Sequence, residues 1–151
     1  MLLTYIMVGL CLGSFSTAIA YRVVHKKSWI FDRPLDSDTP VPARSFCPEC
    51  HHQLSILDLV PVFSWVFLGG KCRYCRTSIP ARYPIIEACG AGAMVLFFYA
   101  GGKDILSLSI FVITLPFCLA FFQLLYLKSM PPFYMFGLFF SNILALLYTV
   151  V

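Results

Sequence analysis

The chain has 151 residues, a net charge of +4 at pH 7, 60% hydrophobic residues and only 12% charged ones. A soluble domain is about 45–50% apolar and about 25% charged, so a globule of this length has too little interior to hide this much apolar surface. That argues against a soluble enzyme or nucleic-acid module and leaves the bilayer as solvent for part of the chain.

Taken in order, four apolar stretches read as membrane helices. Residues 1–21 carry no charged side chain. Ala18-Ile19-Ala20 has the look of a leader-cleavage site, but a leader carries its positive charges before the apolar run. Here Arg22, Lys26 and Lys27 follow it, which predicts a retained helix with its N-terminus outward. The second stretch, 85–100, follows Pro84 and holds one acid, Glu87. The third, 105–127, is interrupted only by Pro116, and the fourth, 133–151, has no charge. A spanning helix needs roughly 17–25 residues, so the second is short unless it begins near Ile79. The sequence therefore predicts an all-α polytopic membrane protein of about four transmembrane helices: 1–21, a polar segment 22–84, then 85–151 as helices two to four.

The segment 22–84 holds nine basic and five acidic residues. Basic residues next to membrane helices mark the cytoplasmic side, which puts this segment in the cytoplasm. Asp32–Pro42 reads as a polar linker. Within the segment, 54–68 (LSILDLVPVFSWVFL) is apolar but short, and Asp58 and Pro61 break it. It reads as an interfacial or re-entrant piece with Trp65 at headgroup level.

On either side of that piece stand Cys47-x2-Cys50 and Cys72-x2-Cys75, with 21 residues between the pairs. Two residues between thiols let a tight turn present both sulfurs to one ion. Two such knuckles supply four thiolates, the donor set of a tetrahedral structural Zn2+. Lys71, Arg73 and Arg76 favour the deprotonated thiols. A reducing cytoplasm disfavours disulfides here, and iron–sulfur ligation is the lesser metal reading. Four cysteines fill the shell, so His51 and His52 are placed at the surface or behind the ligands, and no position is left open for catalysis. Cys11, Cys89 and Cys118 lie in apolar stretches as small hydrophobes. Glu87, just inside a predicted membrane helix, is a candidate catalytic group by its cost alone; the competing reading is an ion pair with Arg82.

The quoted runs GSFSTAIAYR (13–22) and SFCPECHHQLSILDLVPVFSWVFLGGKCRYCRTSIPARYPIIE (45–87) resemble the N-terminal half of the prepilin peptidases over roughly residues 9–90. The resemblance implies a bacterial inner-membrane enzyme of type IV pilus and type II secretion systems. Such an enzyme cuts a basic leader from prepilins or pseudopilins on the cytoplasmic face, then methylates the new N-terminus with S-adenosylmethionine. It associates the zinc region with the methylation half and cleavage with two aspartates of later helices, one in Gly-x-Gly-Asp. The chain departs from that pattern. FFQLLYLKSMPPF (121–133) matches the first aspartate segment with Gln123 or Leu124, and Pro131 or Pro132, where acids are expected, and 105–151 contains no Asp or Glu. GGKD (101–104) is not Gly-x-Gly-Asp, and the sequence ends before a second aspartate segment.

Two functions follow as expectations. One is a prepilin-processing relative that keeps methyl transfer and lacks aspartic peptidase chemistry, its substrate's basic leader meeting Asp32, Asp36 or Asp38. The other is a non-catalytic membrane module that binds pilin-like helices, or half of a split enzyme whose aspartates come from a separate chain. No Gly-rich loop locates the methyl donor, so the cofactor-contacting residues are not assigned. Prepilin N-terminal segments and membrane lipid are the expected partners; nucleic acid is not.

Overall fold

The computed structural model describes residues 1–27, 31–32, 41–42, 44–100, 105–127 and 133–150. It is mostly helical. α1 is Leu2–Val24, α2 the short Phe63–Phe67, α3 Arg82–Tyr99, α4 Ile105–Tyr126 and α5 Phe133–Val150. Two of these, α1 and α4, are long and apolar enough to cross a membrane. The two linker ends pair as a minimal antiparallel ladder, β1 (Phe31–Asp32) against β2 (Val41–Pro42). Asp36 and Asp38 lie outside the described residues.

α1 runs three residues past the predicted end, and α3 starts at Arg82 rather than Ile85. Pro84 does not delay α3, because a proline in the first turn removes an N–H that has no helical partner in any case. Pro116 lies inside α4 without ending it, its surroundings buried among Thr114, Leu115 and Cys118.

α1 is the hub: α3 and α4 both pack along it, touch each other little, and α5 packs on α4. Two apolar clusters hold its ends. Tyr5 packs with Met94, Phe97, Phe111 and Leu115 at one end, and Ile19 and Ala20 with Ala120, Phe121, Leu124 and Met135 at the other. Between them the backbones of α1 and α3 come into near contact at Gly9, Gly13 and Gly90. A Cβ on Gly13 would lie 2.6 Å from Glu87 Cα, and one on Gly90 would overlap the Gly9 carbonyl. This small-residue seam, Gly9-x-x-x-Gly13 facing Gly90, replaces side-chain interdigitation with direct backbone packing. Just beyond it Gln123 of α4 donates from Nε2 to the buried Ser16 Oγ at 2.9 Å, and Ser16 donates on to Gly13 O at 2.6 Å. A polar pair between apolar helices satisfies both partners where no water competes.

Candidate metal centre

The segment between α1 and α3 has almost no apolar core of its own. Between Arg44 and Ala81 the only buried residues are Cys47, Gly70 and Cys72. What it has instead is two matching turns. In the first, His51 N–H donates to Cys47 O (2.9 Å) and Cys47 N–H to His52 O (3.0 Å). In the second, Arg76 N–H donates to Cys72 O (3.1 Å) and Cys72 N–H to Thr77 O (2.8 Å). Each turn is closed by a single antiparallel bridge, Phe46 to Gln53 and Lys71 to Ser78.

These turns bring all four predicted thiols together. One sulfur from each of Cys47, Cys50, Cys72 and Cys75 lies within 4.8 Å of every other, and Cys47 Sγ is 3.8 Å from Cys75 Sγ. Four sulfurs at ~2.3 Å from a central ion stand ~3.8 Å apart. The donor set and spacing fit a tetrahedral divalent ion such as zinc. The other three cysteines lie apart, on the helices.

Charge tells the same story. At Cys75 the hydroxyl and backbone N–H of Thr77 stabilise the thiolate and lower its pKa to about 6. At Cys50 a backbone hydrogen bond from His52 favours the thiolate, but desolvation and the neighbouring sulfurs of Cys75 and Cys47 outweigh it and raise the pKa to about 11. Four adjacent thiols cannot all ionise without a cation at their centre.

His51 and His52 stand behind the sulfurs rather than among them. His52 lies against the Tyr74 ring at 3.6 Å between centroids, linking the two turns. His51 and Arg76, each following the second cysteine of its pair, have φ of 54° and 61°. That left-handed backbone costs a non-glycine residue roughly 1–2 kcal/mol. His51→Gly and Arg76→Gly are therefore expected to stabilise the folded segment by about 1 kcal/mol each. Chemical denaturation monitored by metal release checks this; unchanged midpoints would contradict it.

Arg73 does less for the thiols than its position suggests, because it is engaged elsewhere. Its Nε donates to Asp58 Oδ1 at 2.6 Å, while Tyr74 OH and the Ser55 N–H and Oγ donate to Asp58 Oδ2 at 3.1, 3.0 and 2.8 Å. Ser55 and Asp58 form a capping box on the 3-10 turn Ile56–Leu59, so this carboxylate ties the second knuckle to the apolar insert. The Asp58 side chain is 4% exposed. Desolvation alone would raise its pKa, but the hydrogen bonds from Arg73, Ser55 and Tyr74 prevail and hold it at about 2. Its folded pKa lies below the unfolded value of 3.8, so its contribution is complete above about pH 4 and is lost as pH falls toward 2. Asp58→Asn is expected to lower the stability of the zinc-loaded segment at pH 7 by about 1 kcal/mol, since the charged acceptor of Arg73, Ser55 and Tyr74 is lost; chemical denaturation at pH 7, where the thiolates keep their ion, checks this.

The insert is held at its other end by Glu87. Pro61, Val62 and Phe63 make a tight γ-turn, with Phe63 N–H on Pro61 O at 2.6 Å and Val62 at φ 62°. A β-branched residue at that φ is a true outlier. The turn leaves Val62 N–H pointing at α3, where Glu87 Oε2 accepts it at 2.6 Å. Glu87 is buried and forms no ion pair with Arg82, whose guanidinium lies over the Tyr83 ring instead. Trp65 packs within the segment. Its ring turns inward over Gly70, and its Nε1 donates to Ile79 O at 2.9 Å.

A second region bears on function. A cavity of about 160 Å³ opens between the ends of α1, α3 and α4, lined among others by Tyr21, His25, Arg82, Tyr83, Gln123 and Tyr126. Among the described residues no carboxylate lines it. Gln123, one of the two residues, with Leu124, that the resemblance sets where an acid is expected, spends its amide on Ser16.

Comparison with known families places this arrangement. The model of the bacterial peptidase A24 N-terminal domain matches residues 7–100, more than half of the chain. The chain belongs to the bacterial peptidase A24 N-terminal domain family. It is similar to the prepilin leader peptidase/N-methyltransferase of Burkholderia pseudomallei (strain 1026b), 39% identical over 114 residues, 64% of this chain and 37% of the relative. Proteins of the same description from Aeromonas salmonicida (strain A449) and Vibrio cholerae serotype O1 are 34% and 38% identical, over 52% and 57% of this chain and 32% and 33% of theirs. The chain thus spans about a third of the length of these curated relatives. No solved structure matches it. The A24 N-terminal match covers α1, the four-thiol segment and α3, whereas α4 and α5 lie beyond it.

Proposed function

We propose that the chain is a prepilin-processing membrane protein that retains the methylation-associated metal domain of its family and lacks the peptidase aspartates. The observation that carries this reading is the pairing of a complete four-thiol cluster with a C-terminal region, 105–151, free of any Asp or Glu. In it α1, α3, α4 and α5 span the bacterial inner membrane, and residues 22–84 face the cytoplasm with Zn2+ held by Cys47, Cys50, Cys72 and Cys75. A closed four-cysteine shell makes that ion a structural element.

Aspartic cleavage needs two carboxyl groups sharing a proton. The cavity at Gln123 offers an amide, phenols, an imidazole and a guanidinium, and an amide neither gives nor takes a proton at neutral pH. Cleavage would require acids from outside residues 1–151. Methylation of a free N-terminal amine needs a bound amine, its deprotonation, and S-adenosylmethionine held in line. Glu87 is the one buried carboxylate on α3, and it is the candidate to orient the amine, with Val62 N–H holding one of its oxygens.

The test is methyl transfer. The purified, zinc-loaded chain is incubated with a pre-cleaved pilin bearing a free N-terminal Phe and labelled S-adenosylmethionine. Label on the pilin, lost in Cys72→Ser and lowered at least tenfold in Glu87→Gln, is the expected result. No transfer by folded protein would leave a non-catalytic module that only binds pilin-like helices.

A further inference from the structure

The insert between the cysteine pairs presents its apolar side chains outward. Ile56 is 86% exposed, Leu57 69%, Val66 60% and Phe67 85%, with Phe63 half exposed beside them. The five sit on two consecutive pieces of structure, the 3-10 turn and α2, and three of them, Leu57, Phe63 and Phe67, line one cleft. Trp65, the residue that could have masked part of it, is turned away over Gly70. Between the two pieces runs a cleft of about 280 Å³ lined by Leu57, Val60, Phe63, Phe67, Leu68 and Arg73.

Two contacts say what covers this face. Val62 is tied to Glu87, five residues into α3 from Arg82. At 1.5 Å per residue this sets the γ-turn roughly 7 Å along the helix from its start. On the reading that α3 spans the membrane, on which this inference rests, the insert is held at headgroup depth. Arg73 stands at the rim of the cleft, 47% exposed. It gives Nε to Asp58, and among the described residues no partner takes its Nη groups. Asp58, the one acid near the cleft, is already saturated by four donors.

We propose that this cleft is a binding site for an anionic phospholipid of the bilayer, its acyl chain lying among Leu57, Val60, Phe63 and Phe67 and its phosphate on the Arg73 guanidinium. Guanidinium and phosphate match in a bidentate geometry. Apolar side chains below a basic rim are the usual makeup of a surface that lies in the headgroup layer of acidic lipid. The four-thiol centre, through Arg73 and Tyr74 on Asp58, fixes the orientation of the face.

The test uses the full zinc-loaded chain in phosphatidylcholine nanodiscs. Phe67→Trp is read by fluorescence after subtraction of the parent signal from Trp29 and Trp65. The same mole fraction of acyl-brominated lipid is supplied as phosphatidylglycerol or as phosphatidylcholine. The expected result is quenching at least twofold stronger by the brominated phosphatidylglycerol. That preference should vanish in the added Arg73→Gln background and persist in Arg73→Lys, with zinc content reporting the fold. The two-lipid comparison on Phe67→Trp itself needs no change at Arg73. Equal quenching by both lipids overturns the headgroup site. Quenching by aqueous iodide alone overturns insertion. Shielding from both iodide and lipid overturns it in favour of a second copy or another protein segment on the face. Leu96→Trp, on the exposed face of α3, separates the two levels: lipid quenching there with none at Phe67 leaves the spanning reading standing and sinks this one.

Discussion

Replacing Cys72 with Ser is expected to melt the whole segment from Arg44 to Ala81 while leaving α1 and α3 helical. The reason is the absence of any other core. Apart from Gly70, the two knuckle cysteines Cys47 and Cys72 are the only residues buried there. Apart from Trp65, most of the large apolar side chains of the insert, Phe67 and Ile56 among them, are exposed. A four-thiolate zinc site contributes roughly 10–16 kcal/mol of folding free energy at pH 7, far more than the two bridges and the Asp58 network can supply at about 1 kcal/mol per hydrogen bond. Metal content should fall to background, and amide exchange over 44–81 should approach that of an unfolded chain, with the protection of α1 retained. Cys11→Ser and Cys89→Ser, on helices outside the cluster, should bind metal normally. Full protection of the segment in a metal-free Cys72→Ser protein would show that the ion is not its core.

How far the sequence led depends on whether an interaction is local. Cys47-x2-Cys50 and Cys72-x2-Cys75 announce their turns because the spacing and the turn are the same few residues. The two turns then come out nearly superimposable in their hydrogen bonds. The Ser55–Asp58 capping box went unread, and its further bonds to Arg73 and Tyr74 cross 15 and 16 residues and leave no mark in the pattern. Gly9-x-x-x-Gly13 was likewise passed over, and its partner Gly90 lies 77 residues beyond Gly13. Glu87 was singled out as a costly group, with a site role and an ion pair to Arg82 as the two readings; of the two contacts, the fold gives it Val62 N–H and not Arg82. The sequence offers Arg82 one turn away, while the fold offers Val62 N–H, freed by a γ-turn that no propensity favours. Trp65 shows the same limit: its indole N–H finds Ile79 O, 14 residues on, a contact that the local pattern does not announce.

The second large effect is expected at Gly90, and it tests whether α1 carries the rest of the helical layer. Gly90→Leu places a Cβ onto the Gly9 carbonyl and within 3.1 Å of Gly13 Cα. Neither obstacle is the end of a flexible side chain, so the two helices must part along their length. Overpacking a well-filled site costs about 1–3 kcal/mol, and a backbone obstacle puts this case at about 3 kcal/mol or above. Because α3 meets α4 only at its far end, chiefly through Phe97 stacked on Phe111, it has little other surface to fall back on. Its displacement also moves Glu87, and with it the Val62 anchor of the insert. Gly92→Leu is the matched control: nothing lies within 4 Å of the added Cβ. Relief of glycine's helix penalty, up to about 1 kcal/mol, should make that variant neutral or slightly stabilised. Unfolding in mixed micelles should separate the pair by 3 kcal/mol or more, on the scale of about 1.4 kcal/mol per tenfold change in the equilibrium. Equal stability of the two variants would mean that α1 and α3 are not joined through this seam.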